Sequence, residues 1–279
     1  MARVGVFDSG IGGLSVWREI VHQHAGLDTL FVADQAHIPY GSRRPAEILN
    51  FSRGITRYLL GQGCEAIVVA CNTASAAALS PLRAEFPGTV FVGMEPAVKP
   101  AAQVSHRKVV GVLGTPATLA GQLFQTTLER HAADVRVVKQ PCPGLVDRIE
   151  TGDLASPELD AMLRGFLRGP LEAGADVLVL ACTHYPLVRA SIERLVGPEV
   201  QVIDPAPAVA RQLGRRLEGR GAPAAGARQR DFRTTGEVMA FESVARRILG
   251  HPVLARMLRW EGGALRDPAA AAPLPTQKM

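Results

Sequence analysis

Short apolar runs alternate with longer segments of helical periodicity along most of this chain. The apolar runs contain almost no polar residues, which is typical of strands buried on both faces of a parallel sheet. The segments between them, such as 14–22 and 47–60, carry apolar residues at helical spacing. This alternation predicts an open, doubly wound α/β fold. The predicted strands are 4–7, 29–33, 66–70, 90–94, 109–113, 135–139, 177–181 and 200–203.

The chain also resembles itself at long range. The segment Val4–Gly10 is similar to Val110–Pro116, and the surroundings of Cys71 are similar to those of Cys182. The matches occur in the same order, with separations of 106 to 111 residues. Chance similarities would not share a separation, so we predict two pseudo-symmetric halves.

Two proline-containing segments mark the predicted crossings between these halves. Glu95–Pro100 and Asp204–Pro207 follow the fourth predicted strand of each half, and proline disfavours helix at the residue before it. We therefore expect two doubly wound α/β domains whose mostly parallel sheets face each other across a central cleft. The predicted domains are 1–96 with 207–265, and 97–206, with a loop at 216–230 and a disordered tail at 266–279.

The composition indicates a soluble globular protein. Hydrophobic residues make up 47% of the 279 residues and charged residues 20%. The N-terminus lacks the apolar region and cleavage site of a secretory signal, and no apolar run is long enough to span a bilayer. We expect a cytoplasmic protein with no membrane partner.

Charge and cysteine spacing exclude two further classes of site. The formal net charge of +5 comes mainly from scattered arginines, whereas nucleic-acid binding requires a clustered basic stripe. We therefore do not expect a nucleic-acid partner. The cysteines form no C-x-x-C pair, so no metal site is predicted, and in the cytoplasm we expect reduced thiols. They are Cys64, Cys71, Cys142 and Cys182.

Polar motifs follow the predicted strands. In open α/β sheets, ligands bind beyond the carboxyl ends of the strands. Four motifs lie at such ends and a fifth lies in the loop after the second strand, so we expect all five to converge on one cleft. They are Asp8–Gly13, Pro39–Ser42, Cys71–Thr73, Gly114–Thr118 and Cys182–His184.

Cys71 and Cys182 are the strongest candidates for chemistry. Each is predicted to lie where a strand turns into a helix, and the N–H groups and dipole of a helix start can lower the pKa of a thiol. A buried free cysteine can also be a small core hydrophobe, which is the interpretation we favour for Cys64 and Cys142. Duplication and polar neighbours favour a functional pair at the other two positions.

Asp8 and His184 are the titratable neighbours of this pair. Asp8 could take a proton from Cys71 or hold its thiol in place, or it could instead cap the glycine-rich turn that follows. His184 lies two residues beyond Cys182 and exchanges protons near neutral pH, although a structural histidine is the alternative. We favour a functional role for both.

The glycine-rich segment Gly10–Gly13 does not match a nucleotide-binding loop. It fits neither G-x-x-x-x-G-K-[ST] nor G-x-G-x-x-G, and no lysine follows. We expect its glycines to let the backbone approach a small ligand. None of the lysines lies in a motif, which argues against pyridoxal phosphate, and no cofactor is predicted.

Five motifs together resemble those of the glutamate racemases, a family of cofactor-independent aspartate/glutamate racemases. They are D-S-G-I-G-G, A-D-Q-A-H-I-P-Y-G, V-A-C-N-T-A-S-A, G-T-P-A-T and L-A-C-T-H-Y-P-L, and the resemblance covers roughly residues 4–250. The complete Cys-Thr-His-Tyr-Pro run favours glutamate over aspartate as the substrate.

The resemblance implies interconversion of L- and D-glutamate for peptidoglycan synthesis, by two-base proton transfer at the α-carbon. It implies that Cys71 and Cys182 are the acid/base pair on opposite faces of the substrate, with Asp8 and His184 as their partners. The implied substrate contacts are Asp8, Ser9, Tyr40, Gly41, Asn72, Thr73, Thr115, Thr118, Thr183 and His184.

Asp34 and Glu150 also match acidic positions of the family. Asp8 lies too early for the N-terminal extension through which some members respond to a cell-wall precursor, so we do not expect that control. We expect a homodimer. Two alternatives remain open. One is another reaction on this scaffold, such as aspartate racemisation, a decarboxylation or an isomerisation through one thiol. The other is a dicarboxylate-binding or partner-inhibiting protein without turnover.

Overall fold

The computed structural model describes residues 3–219 and 228–268. Its strands form two parallel sheets and a separate antiparallel hairpin. The strands are β1 (Arg3–Asp8), β2 (Asp28–Ala33), β3 (Cys64–Val69), β4 (Val90–Gly93), β5 (Val109–Gly114), β6 (Arg136–Pro141), β7 (Val177–Ala181), β8 (Gln201–Ile203), β9 (Arg230–Thr234), β10 (Ala255–Met257), β11 (Arg259–Glu261) and β12 (Ala264–Arg266).

The two sheets repeat one topology. The larger sheet has the order β10-β9-β2-β1-β3-β4 and the smaller sheet has the order β6-β5-β7-β8. The block β2-β1-β3-β4 is thus the counterpart of β6-β5-β7-β8, and all pairings within the two sheets are parallel. This confirms the predicted doubly wound α/β class and its pseudo-symmetry. All eight predicted strands are present, with ends shifted by about two residues at most.

Helices connect the strands, as the helical periodicity predicted. None of the helices within the described residues has both the length and the hydropathy needed to cross a lipid bilayer. They are α1 (Leu14–Gln23), α2 (Pro45–Gly61), α3 (Asn72–Glu85), α4 (Val98–Val104), α5 (Pro116–Ala120), α6 (Gln122–His131), α7 (Leu145–Glu150), α8 (Pro157–Glu172), α9 (Arg189–Val196), α10 (Ala206–Leu217) and α11 (Val238–Leu249).

Apolar side chains of the two sheets pack together in the core. Alternate residues of β1 pack on opposite faces, so that Val4 and Val6 lie in one buried cluster and Phe7 lies in another. The first cluster continues into the smaller sheet through Leu178 and Leu180 of β7. The carboxyl ends of both sheets are therefore held at a fixed distance from each other by continuous packing.

The structure departs from the predictions after residue 206. The strands β9 and β10 extend the larger sheet and were not predicted, because their sequences contain too few apolar residues. The predicted loop at 216–230 is wrong at its ends, since α10 continues to Leu217 and β9 begins at Arg230. Its centre, 220–227, lies outside the described residues.

The predicted tail also begins too early. Arg266 is the last residue of β12, and residues 269–279 lie outside the described part of the chain. The division into domains at 96/97 and 206/207 stays a prediction. The order of the strands supports it, because all strands between residues 109 and 203 belong to the smaller sheet.

Candidate active site

A small cavity of ≈ 20 Å³ lies where the carboxyl ends of the two sheets meet. All five predicted motifs contribute to it directly or through a hydrogen-bond partner. Both thiols of the predicted pair line it, one from each sheet. The lining residues are Ser9, Pro39, Tyr40, Gly41, Cys71, Asn72, Thr73, Thr115, Val146, Cys182, Thr183 and His184.

Two of the predicted site residues lie behind this lining. The Asp8 carboxylate accepts a hydrogen bond from Thr183 Oγ1 at 3.4 Å, and Thr118 Oγ1 lies 3.2 Å from Thr73 Oγ1. Conversely, Val146 lines the cavity but was not predicted to, whereas Pro39 lines it as part of the predicted motif Pro39–Ser42. Val146 is an apolar helix residue, and nothing in its sequence context signals a site.

A larger open cleft of ≈ 480 Å³ lies at the crossings between the halves, lined in part by Glu95 and Pro205. Its described lining includes no cysteine, and its lysines and arginines are exposed to solvent. Within residues 3–219 and 228–268, no group of three or more His, Cys, Asp or Glu side chains is arranged to hold a metal ion. The smaller cavity is therefore where the candidate chemistry is concentrated.

Cys71 is the residue that caps the N-terminus of α3. Its Sγ accepts the backbone N–H of Ala74 at 3.4 Å and lies 3.9 Å from Ser9 Oγ. Burial raises the pKa of the Cys71 thiol well above its ordinary value, and the charge of Asp8 raises it further. The hydrogen bonds with Ala74 and Ser9 oppose this shift only in part. The helix start thus lowers the pKa of Cys71 through the N–H of Ala74, as expected, but burial outweighs this effect, and Cys71 is a thiol at neutral pH.

Cys182 lies beside a histidine–glutamate pair. Its Sγ is 3.8 Å from Nδ1 of His184, and Nε2 of His184 is 2.6 Å from Oε1 of Glu150. The predicted helix start after Cys182 is only a short 3-10 helix at Tyr185–Val188, which precedes α9. The two cysteines thus occupy equivalent strand ends but have different local partners.

On the Cys182 side of the cavity, the His184 ring carries a positive charge. Burial lowers the pKa of His184, but its hydrogen bonds to Cys182 and Glu150 outweigh burial and raise this pKa well above the ordinary value. The ring is therefore protonated at neutral pH, and both ring nitrogens donate. This ring places a positive charge 3.8 Å from the Cys182 sulfur.

Glu150 joins the two halves of the molecule. Besides His184, its carboxylate accepts the backbone N–H of Ile11 at 2.7 Å and the side-chain amide of Gln35 at 2.9 Å. Both of these donors follow strands of the larger sheet, whereas Glu150 ends α7 beside the smaller one. The sequence indicated Glu150 only through the family resemblance.

The glycines of the turn after β1 leave room for these side chains. A Cβ atom on Gly10 would clash with the Glu150 carboxylate, and one on Gly12 would clash with the His184 ring. We had expected these glycines to admit a small ligand. The structure gives a different reason, which is the close approach of side chains from the other half.

Asp8 holds the same turn from the inside. Its Oδ2 accepts the backbone N–H of Gly13 at 2.8 Å and that of Gly10 at 3.3 Å, so the capping alternative is the one observed. Burial raises the pKa of Asp8, although the nearby charge of His184 acts in the opposite direction. Asp8 acts on Cys71 through its charge, by raising the pKa of that thiol.

Asn72 is the polar group of the cavity that lacks a partner. It is 4% exposed, and neither polar atom of its amide has a hydrogen-bond partner within the described residues. By contrast, the hydroxyls of Thr73, Thr115 and Thr118 bond to one another across the two halves. Leaving a buried amide unpaired costs free energy, so Asn72 marks the place where a polar ligand would bind.

A loop after β2 (residues 34–42, the Tyr40 loop) closes one side of the cavity. The Tyr40 hydroxyl donates to Oδ2 of the fully buried Asp34 at 2.7 Å, and Tyr40 also lines the cavity. Gly41 lies against Thr115, where even a methyl group would be tightly packed. The loop thus joins the half that carries Cys71 to the half that carries Cys182.

Comparison with known proteins agrees with this geometry. The family model described as Asp/Glu/hydantoin racemase matches residues 5–213. A glutamate racemase of Roseiflexus sp. (strain RS-1) is 50% identical over 218 residues, which cover 78% of this chain and 80% of that protein.

Solved structures are similar over nearly the whole chain. The Escherichia coli glutamate racemase in complex with L-glutamate and the activator UDP-MurNAc-ala has a TM-score of 0.82 and 29% identity, covering 94% of this chain and 99% of that one. The Francisella tularensis subsp. tularensis SCHU S4 glutamate racemase in complex with D-glutamate has a TM-score of 0.81 and 27% identity, covering 93% and 97%.

The contact between Gly12 and His184 can be tested through stability. We expect Gly12→Ala to lower the free energy of unfolding by about 1–3 kcal/mol, because the added methyl group must displace a buried, hydrogen-bonded ring. Urea denaturation monitored by circular dichroism measures this change.

Gly61→Ala is the matched control. A Cβ atom on Gly61 meets no other atom within 4 Å, and this residue lies in α2. Alanine favours helix over glycine, so we expect a change between zero and about 1 kcal/mol of added stability. Equal stability of Gly12→Ala and the native protein would contradict the packing described here.

Proposed function

The chain belongs to the Asp/Glu/hydantoin racemase family, and we propose that it interconverts L- and D-glutamate by proton exchange at the α-carbon through Cys71 and Cys182. The observation that carries this proposal is that two thiols, from equivalent strand ends of two facing sheets, line one small cavity. A hydrolase or a single-base isomerase needs only one such group, whereas exchange on two faces of a carbon atom needs two.

The substrate is held by groups at the N-terminus of α3. The first N–H groups of a helix have no acceptor within the helix and favour anions, so they suit the α-carboxylate of an amino acid. The unpaired amide of Asn72 lies at this end of α3 and supplies a further donor and acceptor. These contacts orient the α-carbon between the two sulfurs.

Each turnover moves one proton off the α-carbon and another onto it. In one direction, the Cys182 thiolate takes the α-proton, and the electron pair of the broken C–H bond remains on the α-carbon. The Cys71 thiol then gives its proton to the opposite face, which forms the new C–H bond. Cys182 is now a thiol and Cys71 a thiolate, and the reverse direction begins from this state.

The environments of the two sulfurs indicate which of them carries a proton before the reaction begins. Burial and the charge of Asp8 raise the pKa of Cys71, which therefore begins as the proton donor. The protonated His184 ring, held by Glu150, lies 3.8 Å from the Cys182 sulfur, and we propose that Cys182 begins as the base. The unlike neighbours thus assign unlike starting roles to two equivalent positions.

Reaching the carbanion-like transition state has the highest free-energy cost in the reaction. Charge that develops at the α-carbon spreads into the α-carboxylate, and hydrogen bonds to this group strengthen as the charge grows. Each sulfur exchanges a proton directly with the α-carbon, so the reaction as proposed requires no cofactor.

The metabolic role we propose is to supply D-glutamate for peptidoglycan synthesis in the cytoplasm, as the resemblance implies. The glutamate racemases of known structure bind L-glutamate in one case and D-glutamate in another, which supports glutamate as the substrate here. The expected homodimer stays a prediction.

The two-thiol proposal predicts the effect of removing either sulfur. We expect Cys71→Ala and Cys182→Ala each to lower kcat for glutamate racemisation by about 10³-fold or more, because each removes an acid/base group. A polarimetric assay with L- and D-glutamate, and with aspartate for comparison, measures this.

Cys64→Ala is the control for these variants. Cys64 is also a buried free thiol, but it lies at the start of β3, away from the cavity. We expect its kcat to stay within about twofold of the native value. Near-native turnover by either Cys71→Ala or Cys182→Ala would contradict the mechanism, and turnover of aspartate instead of glutamate would contradict the substrate.

The role of Asn72 predicts a separation of binding from stability. We expect Asn72→Ala to raise KM for glutamate about tenfold, because a hydrogen bond to a charged ligand is lost. The free energy of unfolding without substrate should fall by less than about 0.5 kcal/mol, because the amide has no partner to lose.

Asn50→Ala is the matched control, since Asn50 is an exposed residue of α2. Its KM should equal the native value. A large loss of stability in Asn72→Ala with an unchanged KM would show that the amide is structural instead.

A further inference from the structure

The hairpin of β11 and β12 lies outside the residues matched by the family model, which end at residue 213. It is nevertheless firmly attached to the larger sheet. Leu258 and Leu265 are buried in the apolar cluster beside α2, and the N–H of Leu258 donates to the carbonyl of Thr234 at 2.7 Å. Trp260 of β11 packs over Gly54 of α2, where any side chain would clash with its ring.

Hydrogen bonds to the carboxylate of Asp34 connect the hairpin to the site. Oδ2 of this fully buried side chain accepts hydrogen bonds from the Tyr40 loop, namely from Tyr40 at 2.7 Å and His37 at 2.9 Å. Oδ1 accepts hydrogen bonds from the C-terminal part of the chain, namely from Thr235 at 2.9 Å and Nε1 of Trp260 at 2.7 Å. One carboxylate therefore ties the two segments together.

Aromatic packing supports the same connection. The His37 ring is stacked on Phe51 with centroids 3.8 Å apart, and the Trp260 ring meets His37 edge-on at 5.2 Å. Phe51 also lies 5.8 Å from the Tyr40 ring. The Tyr40 loop is thus packed between α2 and the hairpin rather than free in solvent.

The position of this loop matters because Tyr40 and Gly41 line the cavity that holds both thiols. A carboxylate that loses one of its donors on Oδ1 is less strictly oriented, and its two donors on Oδ2 move with it. Displacement of the loop changes the wall of the cavity without touching either sulfur.

We propose that Trp260 is a positioning residue for the substrate site, which acts through Asp34 to fix the Tyr40 loop. The C-terminal hairpin is therefore part of the binding machinery rather than an appendage of the sheet. This inference rests on the proposed function, because its readout is the racemisation of glutamate.

The test removes the indole N–H and keeps an aromatic ring. We expect Trp260→Phe to raise KM for glutamate about tenfold while kcat changes much less, because the hydrogen bond that is lost orients Asp34 and, through it, the loop that forms the cavity wall, but not the sulfurs. A purely structural role would instead lower the amount of folded enzyme and leave KM unchanged.

Trp17→Phe is the matched control, because Trp17 is the other tryptophan of the sequence. Trp17 is a buried residue of α1, and its Nε1 donates to Thr29 Oγ1 at 3.0 Å. This variant also loses one indole hydrogen bond, but we expect its KM to equal the native value.

A second measurement covers the case in which Trp260→Phe does not fold. In the Trp17→Phe background, Trp260 is the one remaining tryptophan, and biosynthetic replacement by the benzothiophene analogue exchanges its N–H for sulfur in a ring of the same shape. The same rise in KM is expected.

A double-mutant cycle that combines Trp260→Phe with Tyr40→Phe tests whether Trp260 acts through Asp34. Both residues bond to Asp34, so the rise in KM for the double variant should be smaller than the product of the two single effects. Independent, multiplicative effects would overturn the route through Asp34.

The outcomes separate this inference from the proposed function. A native protein that does not racemise glutamate refutes the proposed function. An active native enzyme with a folded Trp260→Phe variant whose KM lies within about twofold of the native value refutes the inference alone.

Discussion

The site depends on one steric constraint, which is the absence of side chains at Gly10 and Gly12. Through this gap the Glu150 carboxylate reaches the N–H of Ile11, and the His184 ring reaches its position beside Cys182. At the site, the two halves therefore meet through charged side chains of one half packed against bare backbone of the other, in addition to the apolar core that both share. The same contact joins the halves and orients His184.

The pseudo-symmetry of the two halves determines the geometry of the site, and the differences between the halves determine its chemistry. The matched topologies place Cys71 and Cys182 at equivalent strand ends on either side of one cavity. Cys71 lies at the start of an α-helix and near the charge of Asp8, whereas Cys182 lies beside a histidine–glutamate pair. A chiral substrate presents two different faces, and these environments are correspondingly different.

Much of this arrangement was predictable from local sequence patterns. Apolar runs located eight strands, and repeated motifs indicated that two thiols face one cleft. Long-range contacts were not predictable, because no local pattern shows that Glu150 fills the space above Gly10 or that Trp260 reaches Asp34. The raised pKa of Cys71 escaped prediction for the same reason, since burial depends on the packing of the whole cavity. The strands β9 to β12 were missed because they are short and rich in polar residues.

The central claim, that two different thiols act on opposite faces of the α-carbon, is tested most directly in heavy water. L-glutamate is incubated with the enzyme in D2O without added cofactor, and the α-position of both enantiomers is followed by NMR at low conversion. We predict that D-glutamate carries deuterium from the first turnovers, while the remaining L-glutamate keeps its proton. Product that retains the original α-proton, or equal early labelling of substrate and product, would contradict the two-thiol account.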